Sequence, residues 1–251
     1  MKKLLFLDTE TTGLQPTDRL CQLAYKLRKA DGESLDEPEC CLFRPPVPIS
    51  FEAMSVTHIT NEMVADKESF ADSATKKLLE GLSDCVLVAH NAPFDVSMLA
   101  REGLNFPVYI DTLRVAQHLL DLPQHKLQYL RYALDLRVQG TAHSAQGDVN
   151  VLVALFDHLL NIIMLREVRD QGNLFNEGKM TVVQAVDQMI TLTNLPVLLK
   201  RFTFGKHDGK LFEDVVKSDR QYLVWLHNSE MGKLETERNP DMVHTLKTYL
   251  K

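Results

Sequence analysis

The sequence predicts a mixed α/β fold, a sheet flanked by helices, with a small module appended on its C-terminal side. Three observations predict it. Short apolar runs that end in polar residues, 3–8 (KLLFLD) and 85–89 (CVLVA), read as buried strands. Residues 19–29 and 39–44, joined through Asp31-Gly32, read as an antiparallel ribbon. From residue 70 onward, helical spacing alternates with short strands. Antiparallel strands followed by alternating strands and helices make a mixed sheet with helical cover.

Taken in order, the strand 3–8 runs into DTETTGL, where Gly13 and Pro16 mark a turn. The spacing predicts helices over 70–81, 94–102, 112–120 and 126–135, and a short strand over 108–111. Residues 144–165 are the clearest helix. Ser144 is its expected N-cap, and Leu152, Leu155, Phe156, Leu159, Ile162 and Ile163 fall on one stripe. The polar stretch 166–178 reads as a linker, and 180–192 as a short amphipathic helix. A small module follows, with two helices around Trp225 and Leu246. The expected organisation is therefore a main domain over 1–165, a linker with a short helix over 166–197, and a module over 198–251.

Composition narrows the function classes. Of 251 residues, 45% are hydrophobic and 25% charged, which excludes disorder over most of the chain. No uninterrupted apolar run reaches the roughly 20 residues of a membrane span, so no membrane partner is expected. The apolar stretch after Lys3 stops at Asp8, short of a secretory core segment. Cys21, Cys40, Cys41 and Cys85 contain no C-x-x-C pair. They form neither a disulfide framework nor a zinc ligand set, and a reducing, cytoplasmic location is expected. A net charge of −6 is wrong for a protein that coats nucleic acid. It suits an enzyme that grips only a nucleic-acid end and carries clustered carboxylates.

Three segments carry chemistry. Asp8 and Glu10 stand two apart at the end of the most apolar strand, so their carboxylates share a face and Thr9 takes the other. Asp95 follows Pro93 in the first turn of a helix that begins just after a buried strand, where ligands collect in α/β sheets. His143 and Asp148, five apart, straddle the start of the long helix. Each piece alone has a bland reading: a solvated strand end, an acidic first turn, a surface histidine. Together, four carboxylates supply hard oxygen ligands that suit two divalent cations, Mg²⁺ or Mn²⁺. Such a pair stabilises the attacking and leaving oxygens of a phosphodiester displacement. His143 beside it has a pKa suited to taking the proton of the attacking water.

FLDTETTGL, HNAPFD and HSAQGD resemble the three motifs of the DnaQ-like DEDDh exonuclease family, in order and spacing, over residues 1–165. The resemblance implies a ribonuclease H-like fold and a two-metal 3′→5′ exonuclease that releases nucleoside 5′-monophosphates. It implies that Asp8, Glu10 and Asp148 ligate the first metal, that Asp8 bridges to the second, that Asp95 supports the second, and that His143 is the general base. It places Thr11 and Gly13 at the 3′-terminal nucleotide, Leu14 as a wedge against the terminal bases, and Asn91 and Phe94 in the same pocket. The stretch ISFEAMSVTHITNEMV resembles a further family segment. Thr57 stands where the family commonly has histidine, and His58 comes one place later as the substrate-contact candidate. The third motif also departs, with a polar Gln146-Gly147 that weakens helix propensity beside His143.

Two further segments, AMSVTHITNEMVADK and TFGKHDGKLFEDVVKSDRQYLVWL, resemble the exodeoxyribonuclease X branch of the family. That branch implies action on 3′ ends of nucleic acid, with DNA favoured over RNA, on single-stranded or frayed ends, in repair or recombination. An RNA exonuclease of the same fold and a non-catalytic end-binding protein are the alternatives. In the small module, Lys206, His207 and Lys210 read either as a basic loop that contacts phosphate or as a solvated hairpin. Tyr222 and Trp225 read as base-stacking residues or, beside Leu226, as core. Asp111 is expected to start a helix, and Met54, Met63 and Met98 to fill the core. The sequence names no protein partner.

Overall fold

The computed structural model of the chain describes residues 2–36, 39–138, 145–170 and 180–251, without side-chain detail at 166–170. Its organising element is the strand β1 (Lys3–Thr11), whose residues Leu4 to Leu7 are all buried. A strand that is apolar on both faces needs cover on both faces. Leu4 and Phe6 point into one core, with side chains of the long helix, and Leu5 and Leu7 into another, with Leu79, Met98 and Leu99.

β2 (Leu20–Lys29) pairs antiparallel with β1, and β3 (Glu39–Leu42) antiparallel with β2. On the other side, β4 (Val86–Ala89) runs parallel to β1, and β5 (Tyr109–Asp111) parallel to β4. The sheet order is β3-β2-β1-β4-β5. Helices α1 (Phe51–Thr57), α2 (Asn61–Val64) and α3 (Ala74–Glu80) precede β4. α4 (Ala92–Arg101) crosses from β4 to β5, and α5 (Thr112–Leu119) and α6 (Leu127–Ala133) follow β5.

The long helix α7 (Ala145–Asp170) lies across the sheet. Leu152, Leu155, Phe156, Leu159 and Ile163 are buried, and Phe156 meets Phe6 edge-on at 5.2 Å. Residues 145–165 match a membrane span in length and apolarity, with mean hydropathy 1.7. That apolar stripe is taken up by the core under the sheet. Arg28 is buried between the Phe6 and Phe156 rings, 5.0 and 5.4 Å from their centroids, and grips Asp157 at 2.7 and 2.9 Å.

The structure departs from the sequence reading in several places. α7 continues past residue 165 to Asp170, through part of the expected linker. α8 (Val182–Asn194), assigned to that linker, instead buries Ala185, Val186 and Met189 in the core shared with α7. The first compact unit accordingly ends at Thr193, and the second runs from Asn194 to Lys251. α1 and α2 form where no helix was expected. Met63 is 45% exposed, although Met98 is core and Met54 packs against a smaller cluster of Cys21, Ile49, Ile59 and Val64. The Ser144 cap and linker residues 171–178 lie outside the described residues.

The second unit opens with a hairpin bridged between Arg201 and Leu211. Three helices follow, not two: α9 (Phe212–Ser218), α10 (Arg220–Met231) and α11 (Pro240–Tyr249). Phe202, Phe212, Val215, Leu223 and Leu246 form its own core, with Phe202 stacked on Phe212 at 3.8 Å. His207, read as part of an exposed basic loop, is buried and bonded through Nε2 to Asp219 at 3.0 Å. Trp225, read either as base-stacking or as core, is 60% exposed.

The core role of α8 has a measurable consequence. A chain ending after Thr193 is expected to unfold cooperatively on heating. One ending after Leu165 loses the burial of Ala185, Val186 and Met189, about 5 kcal/mol. Differential scanning calorimetry of the two truncations checks this. Equal melting temperatures would show that α8 is dispensable to the first core.

Candidate active site

The alternation of β1 distributes the site. Asp8 and Glu10 continue the Leu4–Phe6 row toward α7, whose first turn carries Asp148. Thr9 continues the Leu5–Leu7 row toward α4, whose first turn carries Asp95. Thr9 donates to Asp95 Oδ1 twice, from its backbone N–H at 3.0 Å and from Oγ1 at 2.7 Å. Residue 9, flanked by the two carboxylates that define the motif, thus orients a third. A bulge between Glu10 and Thr11 then ends the regular register with β2.

Asp95 is placed by the turn after β4. Asn91 takes a left-handed conformation, φ 69° and ψ 47°, which asparagine tolerates better than most residues, and so turns the chain into α4. Its backbone N–H donates to Asp111 Oδ1 at 2.9 Å, and the same oxygen accepts from Leu113 N–H at 3.0 Å. Asp111 is therefore the helix-starting residue the sequence suggested. Its own N–H donates to Thr193 Oγ1 at 2.9 Å, which ties α8 to this frame. His90 donates from Nε2 to His125 O at 2.8 Å, leaving Nδ1 to accept from Thr112 Oγ1 at 3.0 Å. Burial pushes its pKa down to about 4, so the ring is neutral.

The four carboxylates feel one another. Burial raises the Asp8 pKa well above the usual carboxylate range, and the charges of Asp95, Glu10 and Asp148 raise it further. Burial, then Asp148, raises Glu10 to about 7. Burial also raises Asp95 to about 7, against the opposing hydrogen bonds from Thr9. Buried like charges are costly unless protonated or neutralised by a cation. Among the described residues, no group of three His, Cys, Asp or Glu side chains already has the geometry of a metal site. Carboxylates that repel turn to nearby donors: Asp95 to Thr9, and Asp148 to the Gln128 amide. The donor set, carboxylate oxygen throughout, fits a hard divalent cation that would draw the four together.

The substrate-contact candidates lie on three segments: the turn after β1, the end of α1 and the start of α4. Thr11 is buried and donates from Oγ1 to Gly13 O at 2.8 Å. Asp18 folds the following loop: its Oδ1 accepts from Thr12 Oγ1 at 2.7 Å and its Oδ2 from Gln15 N–H at 2.6 Å. A Cβ at Gly13 would lie 2.6 Å from that carboxylate, so only glycine permits the close approach. Arg101 at the end of α4 holds the loop through Gln15 O at 2.9 Å. The loop thereby presents Leu14, 80% exposed. Ser50 N–H donates to Thr12 O at 3.0 Å and Ser50 caps α1, so α1 is fixed to the same turn.

α1 ends at His58, exposed and left-handed with φ 58°. Thr57 Oγ1 instead accepts from Ile59 N–H at 3.2 Å, so of the two it is His58 that faces solvent. Asn91 is exposed and Phe94 half-buried beside Asp95. The structure thus gathers Asp8, Glu10, Asp95 and Asp148, with Thr11, Gly13, Leu14, Asn91 and Phe94 on the segments that carry them. His143 lies outside the described residues, while Gln146 and Gly147 are helical in the first turn of α7. Sequence reasoning missed Thr9, Gln128, Asp18 and the exposed Phe51. Nothing in a local pattern marks Thr9 or Gln128, because their partners lie 86 and 20 residues away, whereas Asp18 bonds within its own loop, to Thr12 and Gln15.

The exonuclease family model matches residues 5–156, and the exodeoxyribonuclease X-like C-terminal model matches residues 202–230. The chain is 31% identical to Exodeoxyribonuclease 10 of Escherichia coli K12, over 98% of both chains. It resembles the solved structure of exonuclease X in complex with 5′ overhanging duplex DNA, at TM-score 0.54 and 29% identity, covering 74% of this chain and 99% of that one. E. coli exonuclease I in complex with a dT13 oligonucleotide shares the fold at 22% identity and TM-score 0.54, over 68% of this chain and 43% of that one. The five-stranded mixed sheet with helical cover is the ribonuclease H-like arrangement expected from the sequence.

Two outcomes follow from the site. The raised carboxylates keep protons in the folded state that the unfolded chain releases above about pH 4. Their contribution to stability therefore falls as pH rises toward 7. His90 acts oppositely, costing stability as pH falls from about 6.5 to 4. Asp8→Asn in chelator is thus expected to melt a few degrees above the wild type at pH 8, and not at pH 5. Millimolar Mg²⁺ or Mn²⁺ should raise the wild-type midpoint at pH 8 and leave that of the variant; thermal melts under these four conditions decide it. Separately, Gly13→Ala forces Asp18 off its two donors and should cost about 1–3 kcal/mol. It should also raise KM for an oligonucleotide more than it lowers kcat, and an unchanged KM would show that the loop does not meet substrate.

Proposed function

The chain belongs to the exonuclease family, and we propose on that premise that it is a metal-dependent 3′→5′ exodeoxyribonuclease. It releases nucleoside 5′-monophosphates from single-stranded or frayed DNA ends, in a repair or recombination setting. The observation that carries the reading is the cluster of Asp8, Glu10, Asp95 and Asp148, in which burial first, and the charges of the other three second, raise the pKa of Asp8. A site that concentrates negative charge is adverse to a phosphodiester unless divalent cations lie between the two. The choice of DNA is supported by the names of its relatives, one an exodeoxyribonuclease and one solved with a DNA duplex.

The residues divide the work. Asp8, Glu10 and Asp148 face one another across β1 and α7 and would hold one divalent cation, with Asp8 and Asp95 toward a second. Bound there, such ions polarise the phosphate oxygens and lower the pKa of an attacking water. Thr9 holds one oxygen of Asp95. Gln128 orients Asp148. His143 takes the proton of the attacking water. The Thr11–Leu14 turn, held rigid by Asp18 and Arg101, seats the terminal nucleotide, and exposed Leu14 separates it from its neighbour.

One experiment tests this reading. A 5′-labelled oligonucleotide is offered as DNA and as RNA, each single-stranded and paired, with Mg²⁺ or Mn²⁺. The expected result is a ladder that shortens from the 3′ end of DNA. Asp8→Asn or Asp148→Asn should lower the rate by about 10³-fold or more while the protein stays folded, since the metal contribution is several kcal/mol. His143→Ala should lose about 10²–10⁴-fold and flatten the acid limb of the pH–rate profile. Shortening from the 5′ end, or a ladder on RNA alone, overturns the assignment.

A further inference from the structure

The second unit has a surface that the catalytic reading leaves unused. Residues 194–251 carry ten Lys and Arg against eight Asp and Glu, a net +2 in a chain whose total is −6. The hairpin at its start concentrates that charge. Arg201, Lys206 and Lys210 are exposed there, against the single exposed acid Asp208. Next to the hairpin lies a run of rings. Phe204 meets Phe202 at 6.0 Å, Phe202 meets Tyr222 at 5.9 Å, and Tyr222 meets Trp225 at 5.6 Å with the planes 32° apart.

Trp225 is 60% exposed and Phe204 41%. Large aromatic surface left in water on a small unit marks a contact site, because its burial is worth more than that of any other side chain. The face of α10 that carries Trp225 also exposes Gln221, Val224 and Asn228 and no charged residue. The one acid of that helix, Glu230 at its C-terminal end, is buried and paired with Lys233 at 2.6 Å.

The platform is built, not incidental. Asp219 accepts from Lys206 at 2.7 Å and from His207 Nε2 at 3.0 Å, and caps α10 through Tyr222 N–H. The Lys206 ammonium, held by that pair, sits 4.8 Å from the centre of the Tyr222 ring. Gly205, at φ +68°, brings the hairpin tip so close that a Cβ there would lie 3.0 Å from Tyr222 Oη. The hairpin, the cation and the rings are therefore locked to one another. A cation beside an aromatic platform matches a strand that offers phosphate and unpaired bases together.

We propose that the C-terminal unit is a second binding site, for single-stranded DNA, in which Trp225 stacks on a base and the 201–210 hairpin meets the adjoining phosphates. Charge complementarity selects a polyanion, and the uncharged aromatic face selects one with exposed bases. A duplex hides its base faces and lacks the match. The site itself needs neither the carboxylates nor a metal, and only its assignment to DNA over RNA rests on the exodeoxyribonuclease reading.

Trp225 is the single tryptophan of the chain, so its emission reports on this surface alone. The full chain bearing Asp8→Asn, in chelator to prevent cleavage, is titrated with (dT)20, an abasic strand of equal length, a 20-base-pair duplex and (U)20. Saturable quenching by (dT)20, with much weaker quenching by the abasic strand and the duplex, is expected. Trp225→Ala should weaken (dT)20 binding about 5- to 150-fold by fluorescence anisotropy, the range for loss of one base stack. Trp225→Tyr, which keeps a ring, should stay near the parent affinity, and both variants should keep the parent melting temperature. Lys206→Gln with Lys210→Gln should flatten the dependence of log K on log salt by about 1–1.5 units. Absent quenching, equal quenching by the abasic strand or the duplex, or unchanged affinity in Trp225→Ala overturns the site. Tighter binding of (U)20 than of (dT)20 overturns its assignment to DNA.

Discussion

The first unit depends on one strand being buried on both faces while its end remains reactive. Leu4 to Leu7 of β1 hold the two cores together, and the same alternation, carried three residues further, distributes Asp8, Thr9 and Glu10. Thr9 is the hinge of that arrangement. By donating twice to Asp95 it joins α4 to β1 at the point where Asp8 and Glu10 turn toward α7. The carboxylate cluster is therefore a product of sheet geometry: rigid elements bring the anions together against their repulsion, and the energy for doing so comes from apolar packing behind them.

That repulsion explains the shape of the site as it stands. Three of the four carboxylates have raised pKa values, with burial as the first cause. Asp95 and Asp148 each lean on a nearby donor, Thr9 or Gln128. Such donors give a carboxylate hydrogen bonds without neutralising its charge. The fold thus stores a charge imbalance that a divalent cation relieves, which couples metal binding to stability through the same groups that would perform catalysis.

Much of this was legible in the sequence, for definite reasons. Period-two alternation puts Asp8 and Glu10 on one face without any structure, and Pro93 places Asp95 in a first turn. The apolar stripe from Leu152 to Ile163 announces a core helix. Illegible were the features whose partners lie far away in the chain. Thr9 and Asp95 are 86 residues apart, and Gln128 and Asp148 are 20 apart. α8 looked like part of a linker because its apolar face has no partner in its own neighbourhood; the partner is the core under the sheet. α1 buries no residue fully, so it leaves no periodic signal. Spacing beside Leu226 suggested that Trp225 was core, yet Leu226 faces inward and Trp225, one residue earlier, faces water.

Charge is divided between the two units in opposite senses. With the second unit at +2, the first holds a net −8, and part of that negative charge is the carboxylate cluster of Asp8, Glu10, Asp95 and Asp148. A first unit of that sign repels a polyanion at long range. Its grip has to come from bound cations and from uncharged surface: the turn that presents Leu14 and the α1 start that presents Phe51, 85% exposed. The second unit can supply what the first gives up, positive charge and a stacking face, without placing a cationic side chain among the metal ligands, where it would compete for their carboxylates. On the proposed reading, separating the two roles would let the cluster remain acidic enough for divalent ions while the other unit offers a phosphate backbone its positive charge.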